Sequence, residues 1–214
     1  ATASPNLVPA VPRIYEKVYA RVLSAREGGN VIRRAIFDWA IGVGRTRSEY
    51  ECAGRPVPLW VNLANQVAHQ LVFARIHGIL GGNVRLMLSG GAPLAREIAE
   101  FFHAVGLLVL EGYGLTETTP VLTVNRPDRF RFGTVGLPLD CCEIRIADDG
   151  EILARGENVA QGYHARPDAT SEAWDADGWF HTGDIGEFDA EGFLRITDRK
   201  KDLLKTSGGK YIAP

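Results

Sequence analysis

The spacing of apolar residues changes character near residue 119. From Arg13 to Ser24, Ile14, Val18 and Val22 fall at every fourth position with Tyr15 and Tyr19 beside them, which predicts a helix with a wide apolar stripe. A second helix is predicted from Val31 to Ile41. Gly42 to Pro58 mixes glycines, two prolines and both signs of charge and reads as a loop. Helical spacing returns from Leu59 to Leu80 through Leu63, Val67, Leu71 and Ile79, and Gly81-Gly82 closes it. Ahead of these, Ala1 to Pro12 carries three prolines and no helical period. It reads as an extended lead-in, and the expectation is that the chain is cut from something longer.

Val84 to Leu88 reads as a strand and Ser89-Gly90-Gly91-Ala92-Pro93-Leu94 as a glycine turn. A helix follows from Leu94 to Val105, with Pro93 at its first position and Leu94, Ile98, Phe101, Phe102 and Val105 on its apolar face. Gly106 stops it, and Leu107 to Leu110 form the next strand. Residues 84–112 therefore predict a strand-helix-strand unit with parallel strands and a glycine turn at the carboxyl end of each.

Beyond Thr119 the period shortens to that of strands. Val121 to Val124 is a short apolar strand, Asn125 to Phe132 a charged loop, and Gly133 to Pro138 a tight glycine segment. Glu143 to Ala147 and Glu151 to Arg155 flank Asp149-Gly150, a strong hairpin signal. Further strands are predicted at Trp179 to His181, Ile185 to Phe188 and Phe193 to Thr197, the last two joined through Asp189 to Gly192. The fold class expected is α/β: a partial parallel α/β sheet domain over 1–125, a small antiparallel β subdomain or distorted barrel over 126–197, and a hinge with the start of a C-terminal domain over 198–214.

Composition narrows this picture modestly. The 214 residues are 45% hydrophobic and 23% charged with a formal net charge of −2, so no basic excess points to nucleic acid. No apolar run approaches the roughly 18 residues needed to cross a bilayer, and the N-terminus shows no signal segment; the chain is read as cytoplasmic. Between Gly42 and Pro58, Arg45, Arg47 and Arg55 are balanced by Glu49 and Glu51. A solvated surface is preferred there over contact with a membrane surface or a CoA phosphate. Cys52 and the adjacent Cys141-Cys142 make a poor disulfide framework and are read as buried or half-buried small side chains without function. His69 and His77, two helical turns apart, are too distant to chelate one ion and are read as structural.

The stretch that carries chemistry is Glu111 to Thr118, directly after the apolar run Leu107 to Leu110. Gly112 and Gly114 let the backbone turn and approach a ligand, Tyr113 offers a flat face, Thr116 a hydroxyl and Glu117 a hard carboxylate oxygen, a set that suits a nucleotide and its magnesium. In open α/β sheets ligands gather at the carboxyl ends of strands, where loops converge. A second candidate lies in Gly178-Trp179-Phe180-His181-Thr182-Gly183-Asp184, because an aspartate at a glycine turn has two oxygens that match a vicinal diol.

The pair Ser89-Gly90-Gly91-Ala92-Pro93-Leu94 and Gly112-Tyr113-Gly114-Leu115-Thr116-Glu117-Thr118 resembles the adenylate-forming enzymes, specifically the long-chain fatty acyl-CoA synthetases. The likeness continues through Thr182-Gly183-Asp184 and Thr197-Asp198-Arg199-Lys200-Lys201-Asp202, and Lys205 to Pro214 is closest to the long-chain acyl branch. It is strong over 84–214 and looser in the helices before. The resemblance implies ATP or AMP, Mg2+ and coenzyme A as ligands and a fatty acid as substrate. It implies that Tyr113 stacks on adenine while backbone at Gly90, Gly91 and Ala92 reads its edge; Gly112 and Gly114 frame the turn; Asp184 and Arg199 hold the ribose. Thr116 contacts the α-phosphate, Glu117 holds magnesium, and Asp198 and Lys200 belong to the hinge, with Gly208-Gly209 beginning a lid. Apolar side chains between 59 and 122 are expected to help wall an acyl channel.

The sequence also departs from the family pattern. Leu137 stands where many relatives have Arg, and Cys141-Cys142 are unusual neighbours. The family's phosphate-cradling loop is expected upstream of residue 1 and its lid lysine beyond Pro214, so the 214 residues alone are expected to be inactive and their exposed sheet edges sticky. Two other readings stand beside the ligase: an adenylating enzyme for an aryl or amino acid, and a nucleotide-binding module without catalysis. Oligomeric state and peripheral membrane contact are left open.

Overall fold

The computed structural model describes residues 4–200 and the backbone of 204–205 and 211–212. The chain forms two compact units, divided between Leu110 and Glu111.

In the first unit, β1 (Leu7–Ala10) pairs in parallel with β2 (Leu86–Ser89), Leu7 opposite Leu86 and Ala10 opposite Ser89. The predicted lead-in is thus a strand, a pairing no local pattern announces because its partner lies far along the chain. Helix α1 (Pro12–Glu27) carries Pro12 in its first turn, where a missing N–H costs nothing. Its buried Tyr15 points the hydroxyl at the carbonyls of Val8, 2.9 Å, and Leu88, 2.7 Å, tying β1 and β2 to the helix above them. Burial pushes that phenol up to about 12.

Helix α2 runs from Val31 to Cys52, capped by the Asn30 side chain on Arg33 N–H at 2.9 Å. This corrects the loop expected from Gly42 onward. Gly44 is there for packing: a Cβ on it would stand 2.1 Å from the carbonyl oxygen of Ala104, so only glycine lets α2 pass so close to that backbone. Helix α3 (Leu59–Ala68) passes through one π turn (His69–Phe73) into α4 (Ala74–Ile79), so the single helix expected from Leu59 is three consecutive segments. The π turn brings the His69 and His77 rings edge to face, with centroids 5.2 Å apart, and His77 Nε2 lies 2.7 Å from the Val105 carbonyl. Helix α5 (Arg96–Ala104) starts after Ala95, later than the expected Pro93, and buries Ile98, Phe101 and Phe102. Tyr15 meets Phe102 and Tyr19 meets Phe101 edge-on at centroid distances of 6.0 and 4.8 Å. On the outer side of α2 and α3, Val31, Ile32, Trp39, Leu59, Trp60 and Leu63 are exposed.

Strand β3 (Leu108–Tyr113) neighbours β2 in the sheet order and carries the chain into the second unit. There β3 pairs antiparallel with β4 (Thr123–Val124), which pairs with β5 (Leu137–Pro138). An antiparallel sheet follows in the order β6 (Cys142–Ile146), β7 (Glu151–Gly156), β8 (Phe180–Phe188), β9 (Leu194–Arg199). The two strands expected around Gly183 are one long strand with a register shift between Ile185 and Gly186. A short helix α6 (Pro167–Ala173), not expected from the sequence, precedes it. The core of this unit gathers Tyr113, Leu122, Ile152, Ala154 and Leu194. Backbone strands β10 (Leu204–Lys205) and β11 (Tyr211–Ile212) pair antiparallel. The Gly208-Gly209 loop lies outside the described residues.

Candidate functional site

The chemistry-bearing turns sit at strand ends, as an α/β fold requires. In the first unit Ser89 ends β2, 4% exposed with its hydroxyl unpartnered, and Gly90 to Ala92 follow, Gly91 at φ +81° with Ala92 open to solvent.

In the second unit Tyr113 ends β3 opposite Thr123, with Gly112 before it opposite Val124. Gly114 then passes so close to Pro120 that a Cβ would lie 1.8 Å from its carbonyl oxygen. Thr116 to Thr118 form a single 3-10 turn. Buried Thr118 holds it: its hydroxyl accepts from Leu115 N–H at 2.9 Å and faces the Leu115 and Pro120 carbonyls at 3.0 and 3.1 Å. Thr116 is left exposed and Glu117 half-buried. Glu117 is also gripped from outside, its carbonyl accepting from Ala160 N–H at 2.7 Å and its Oε1 from the Tyr163 hydroxyl at 2.7 Å. That bond, more than burial, pushes the Tyr163 phenol up. Asn158 Nδ2 completes the bracket by donating to Thr118 O at 3.1 Å and Val121 O at 2.8 Å.

The same unit brings Asp184 to this turn. Tyr113 Oη donates to Asp184 Oδ2 at 2.7 Å, and Arg199 Nε donates to Oδ1 at 3.2 Å. Tyr113 and Asp184 are each 8% exposed, whereas the Arg199 side chain is 63% exposed. Burial, and then the adjacent carboxylate, push the Tyr113 phenol up, so it stays a donor. Asp198 lies in β9 opposite Ile185 and accepts from Arg199 N–H at 2.7 Å.

Behind Asp184 lies a hub that the sequence reading missed. Glu151, 3% exposed, accepts from Gly183 N–H at 2.9 Å, faces His181 Nδ1 at 2.9 Å and meets Lys200 Nζ at 2.8 Å. Lys200 also pairs with Asp149 at 2.8 Å, and its N–H donates to Gly183 O at 2.8 Å. Burial raises the Glu151 carboxyl, but the bonds from Lys200, His181 and Gly183 outweigh it and hold the group below its ordinary range. The only sequence signal was Glu151 at the start of the strand after Asp149-Gly150. Tyr163 and Asn158, which hold the Thr116–Thr118 turn, carried none.

Cys52 and Cys141 depart from the expectation of burial or half-burial, and Cys142 agrees with it. Cys52 and Cys141 are exposed and Cys142 half-buried, because Cys52 ends α2 and Cys141 occupies a turn. Among the described residues no group of three or more His, Cys, Asp or Glu gathers as a metal cage, and no helix is long and apolar enough to cross a membrane.

Glu117 suits a magnesium ion: one of its oxygens is fixed by Tyr163 and the carboxylate remains half-exposed, a hard oxygen donor of the kind this ion takes.

Comparison with known proteins agrees with these motifs. A family model described as AMP-binding enzyme matches residues 2–164. A long-chain-fatty-acid–CoA ligase of Mycobacterium tuberculosis, FadD15, is 41% identical over 214 residues, covering 100% of this chain and 35% of the relative. The long-chain-fatty-acid–CoA ligase 5 of Mus musculus is 36% identical over 222 residues, covering 98% of this chain and 31% of the relative. The chain therefore spans about a third of the length of these curated relatives. Among solved structures, the O-succinylbenzoate coenzyme A synthetase of Bacillus subtilis in complex with AMP superposes with a TM-score of 0.55 at 35% identity, covering 62% of this chain and 29% of that one. With the family model matching well over half its residues, the chain belongs to the AMP-binding enzyme family.

Proposed function

We propose that the chain works as part of an ATP-dependent acid–thiol ligase that activates a long-chain fatty acid as its acyl-adenylate and passes the acyl group to coenzyme A. The observation that carries this is the carboxylate of Asp184, placed between the Tyr113 hydroxyl and the Arg199 guanidinium beside the Gly112–Thr118 turn. Two groups that orient one carboxylate, one of them an exposed cation, leave it pre-aimed for a diol such as ribose. Tyr113 offers its ring to adenine, and backbone at Gly90 to Ala92 reads the base edge. Thr116, exposed on its 3-10 turn, donates to the α-phosphate, and Glu117 holds magnesium. Magnesium there supplies neutralisation of phosphate charge when an anionic carboxylate approaches an anionic nucleotide. Positioning of the reacting groups does the rest. Asp198 and Lys200 belong to the hinge, which follows an α/β part to residue 125 and a β subdomain to residue 197. Work in the cytoplasm, with peripheral contact to membranes that supply the acid, is part of the same proposal.

The long-chain preference rests on relatives of that name matching all or nearly all of the chain at 36–41% identity. The 214 residues by themselves are expected to bind nucleotide weakly without making acyl-CoA. The test is a graft: this chain replaces the matching third of the mycobacterial relative, and AMP release is followed with ATP, magnesium, CoA and palmitate. Palmitate-dependent turnover that Asp184→Ala abolishes is the expected result. Turnover only with aryl or amino acids would move the reading to that branch, and AMP binding without any carboxylate-dependent exchange would leave a non-catalytic nucleotide module.

A further inference from the structure

Asp184 owes its place to an irregularity in the β7–β8 ladder. Glu151 stands opposite Ile185 and Leu153 opposite His181, so Ile152 alone faces the three residues Thr182, Gly183 and Asp184, which bulge from the strand. Gly183 takes φ +75° at the centre of the bulge, a backbone that side-chain-bearing residues rarely adopt. A bulge of this kind removes ladder hydrogen bonds, and each backbone group freed inside the fold needs a new partner.

The Thr182 hydroxyl takes up two of them, donating to Ile152 O at 2.7 Å and accepting from Asp184 N–H at 3.2 Å. Gly183 O accepts from Lys200 N–H at 2.8 Å. Gly183 N–H donates to Glu151 Oε1 at 2.9 Å. The other oxygen of that carboxylate, Oε2, accepts from Lys200 Nζ at 2.8 Å, and Asp149 meets the same ammonium at 2.8 Å. Lys200 directly follows Arg199, which stands opposite Asp184 in the β8–β9 ladder and donates to its Oδ1. One buried carboxylate thus holds both the peptide before Asp184 and the residue after Arg199.

We propose that Glu151 is the positioning residue of this clamp, setting Asp184 through Gly183 and Arg199 through Lys200 so that the Asp184 carboxylate meets two vicinal hydroxyls. The inference deepens the ribose role proposed above for Asp184 and rests on it. Packing does not account for Glu151: a carboxylate 3% exposed is costly to desolvate, and an apolar side chain of similar size would fill the same space at no such cost. What an apolar side chain cannot do is accept from Gly183 N–H while drawing Lys200 inward.

Two substitutions separate these roles. Glu151→Leu keeps the bulk and deletes the acceptor, whereas Glu151→Gln keeps one oxygen for Gly183. The first measurement, amide hydrogen exchange by NMR on the 214-residue chain, needs no nucleotide. In the parent the Gly183 amide is expected to exchange slowly although it lies in a bulge. In Glu151→Leu it should exchange about tenfold faster or more, set against amides of β6, and in Glu151→Gln close to the parent rate. Fast exchange in the parent, or an unchanged rate in Glu151→Leu, overturns the proposal, and the parent measurement decides even where Glu151→Leu folds poorly.

The second measurement is calorimetry with AMP and its 2′,3′-dideoxy analogue. The preference of the parent for AMP should shrink by about fivefold or more in Glu151→Leu, through loss of AMP affinity alone, and Glu151→Gln should restore it. Equal weakening of both nucleotides would mean that Glu151 only supports the fold, and overturns the positioning role. A parent chain that prefers neither nucleotide counts against the ribose role of Asp184, and hydrogen exchange at Gly183 then still decides whether Glu151 sets the bulge.

Discussion

Tyr113 donates its phenolic proton to Asp184 across 71 residues of sequence, at 2.7 Å and with both side chains buried. The residue expected to face the base is thus also the one that orients the residue expected to hold the sugar. Tyr113→Phe keeps the ring and deletes the bond, leaving a buried carboxylate one donor short. A stability loss of about 1–3 kcal/mol is expected in urea unfolding. By calorimetry, AMP affinity should fall less in Tyr113→Phe than in Tyr113→Ala or Asp184→Ala. Equal affinity in all three would remove the adenosine assignment.

Glu117 should behave differently from these binding residues. In the grafted enzyme Glu117→Gln is expected to slow adenylation by about 10²-fold or more, with AMP affinity little changed, because the role proposed for it is with phosphate charge. Pyrophosphate exchange set beside AMP calorimetry makes the comparison. Tyr163→Phe, which frees Glu117 Oε1, should raise the magnesium concentration needed for half-maximal rate. An equal fall in exchange and AMP binding for Glu117→Gln would mean that the residue only shapes its turn.

The Glu151 hub predicts an acid limb in stability. The folded carboxyl sits below its unfolded value, so its contribution is complete above about pH 4.3 and is lost as pH falls through the lower folded value. Lys200 works in the opposite sense: its ammonium is raised by Asp149 and Glu151 against burial, and its contribution fades only as pH rises past the ordinary lysine range. Unfolding of the parent and Glu151→Gln from about pH 7 to about pH 3 should show curves that converge at the acid end. Parallel curves would show that Glu151 contributes nothing that titrates.

Two glycines in α2 make a matched pair. Gly44→Ala places a Cβ 2.1 Å from the Ala104 carbonyl and should destabilise by about 1–3 kcal/mol, as α2 and α5 are forced apart. A Cβ at Gly42 meets nothing within 4 Å, so Gly42→Ala should stabilise by about 0.5–1 kcal/mol, the gain expected for alanine over glycine inside a helix. Were this stretch a loop, neither sign would be expected; thermal unfolding of the two variants decides.

What the sequence determined is what its local chemistry encodes. Helix α1 follows from apolar residues at every fourth position, the β6–β7 hairpin from Asp149-Gly150, and the carboxyl-end turn at Gly112–Gly114 from glycines after an apolar run. Each rests on backbone preferences a few residues wide, and the same motifs marked the family. Tertiary structure decided the rest. Gly44 looks like a helix breaker until the end of α5 packs against it, and a proline-bearing lead-in becomes β1 only when β2 offers its edge. Tyr163 meets Glu117 across 46 residues, and Lys200 meets Glu151 across 49. No period or turn signal encodes such meetings, because they depend on the register of strands brought together by a common core. The sequence could therefore single out Tyr113, Glu117 and Asp184 as candidates, while only the fold could supply the side chains that hold them in place.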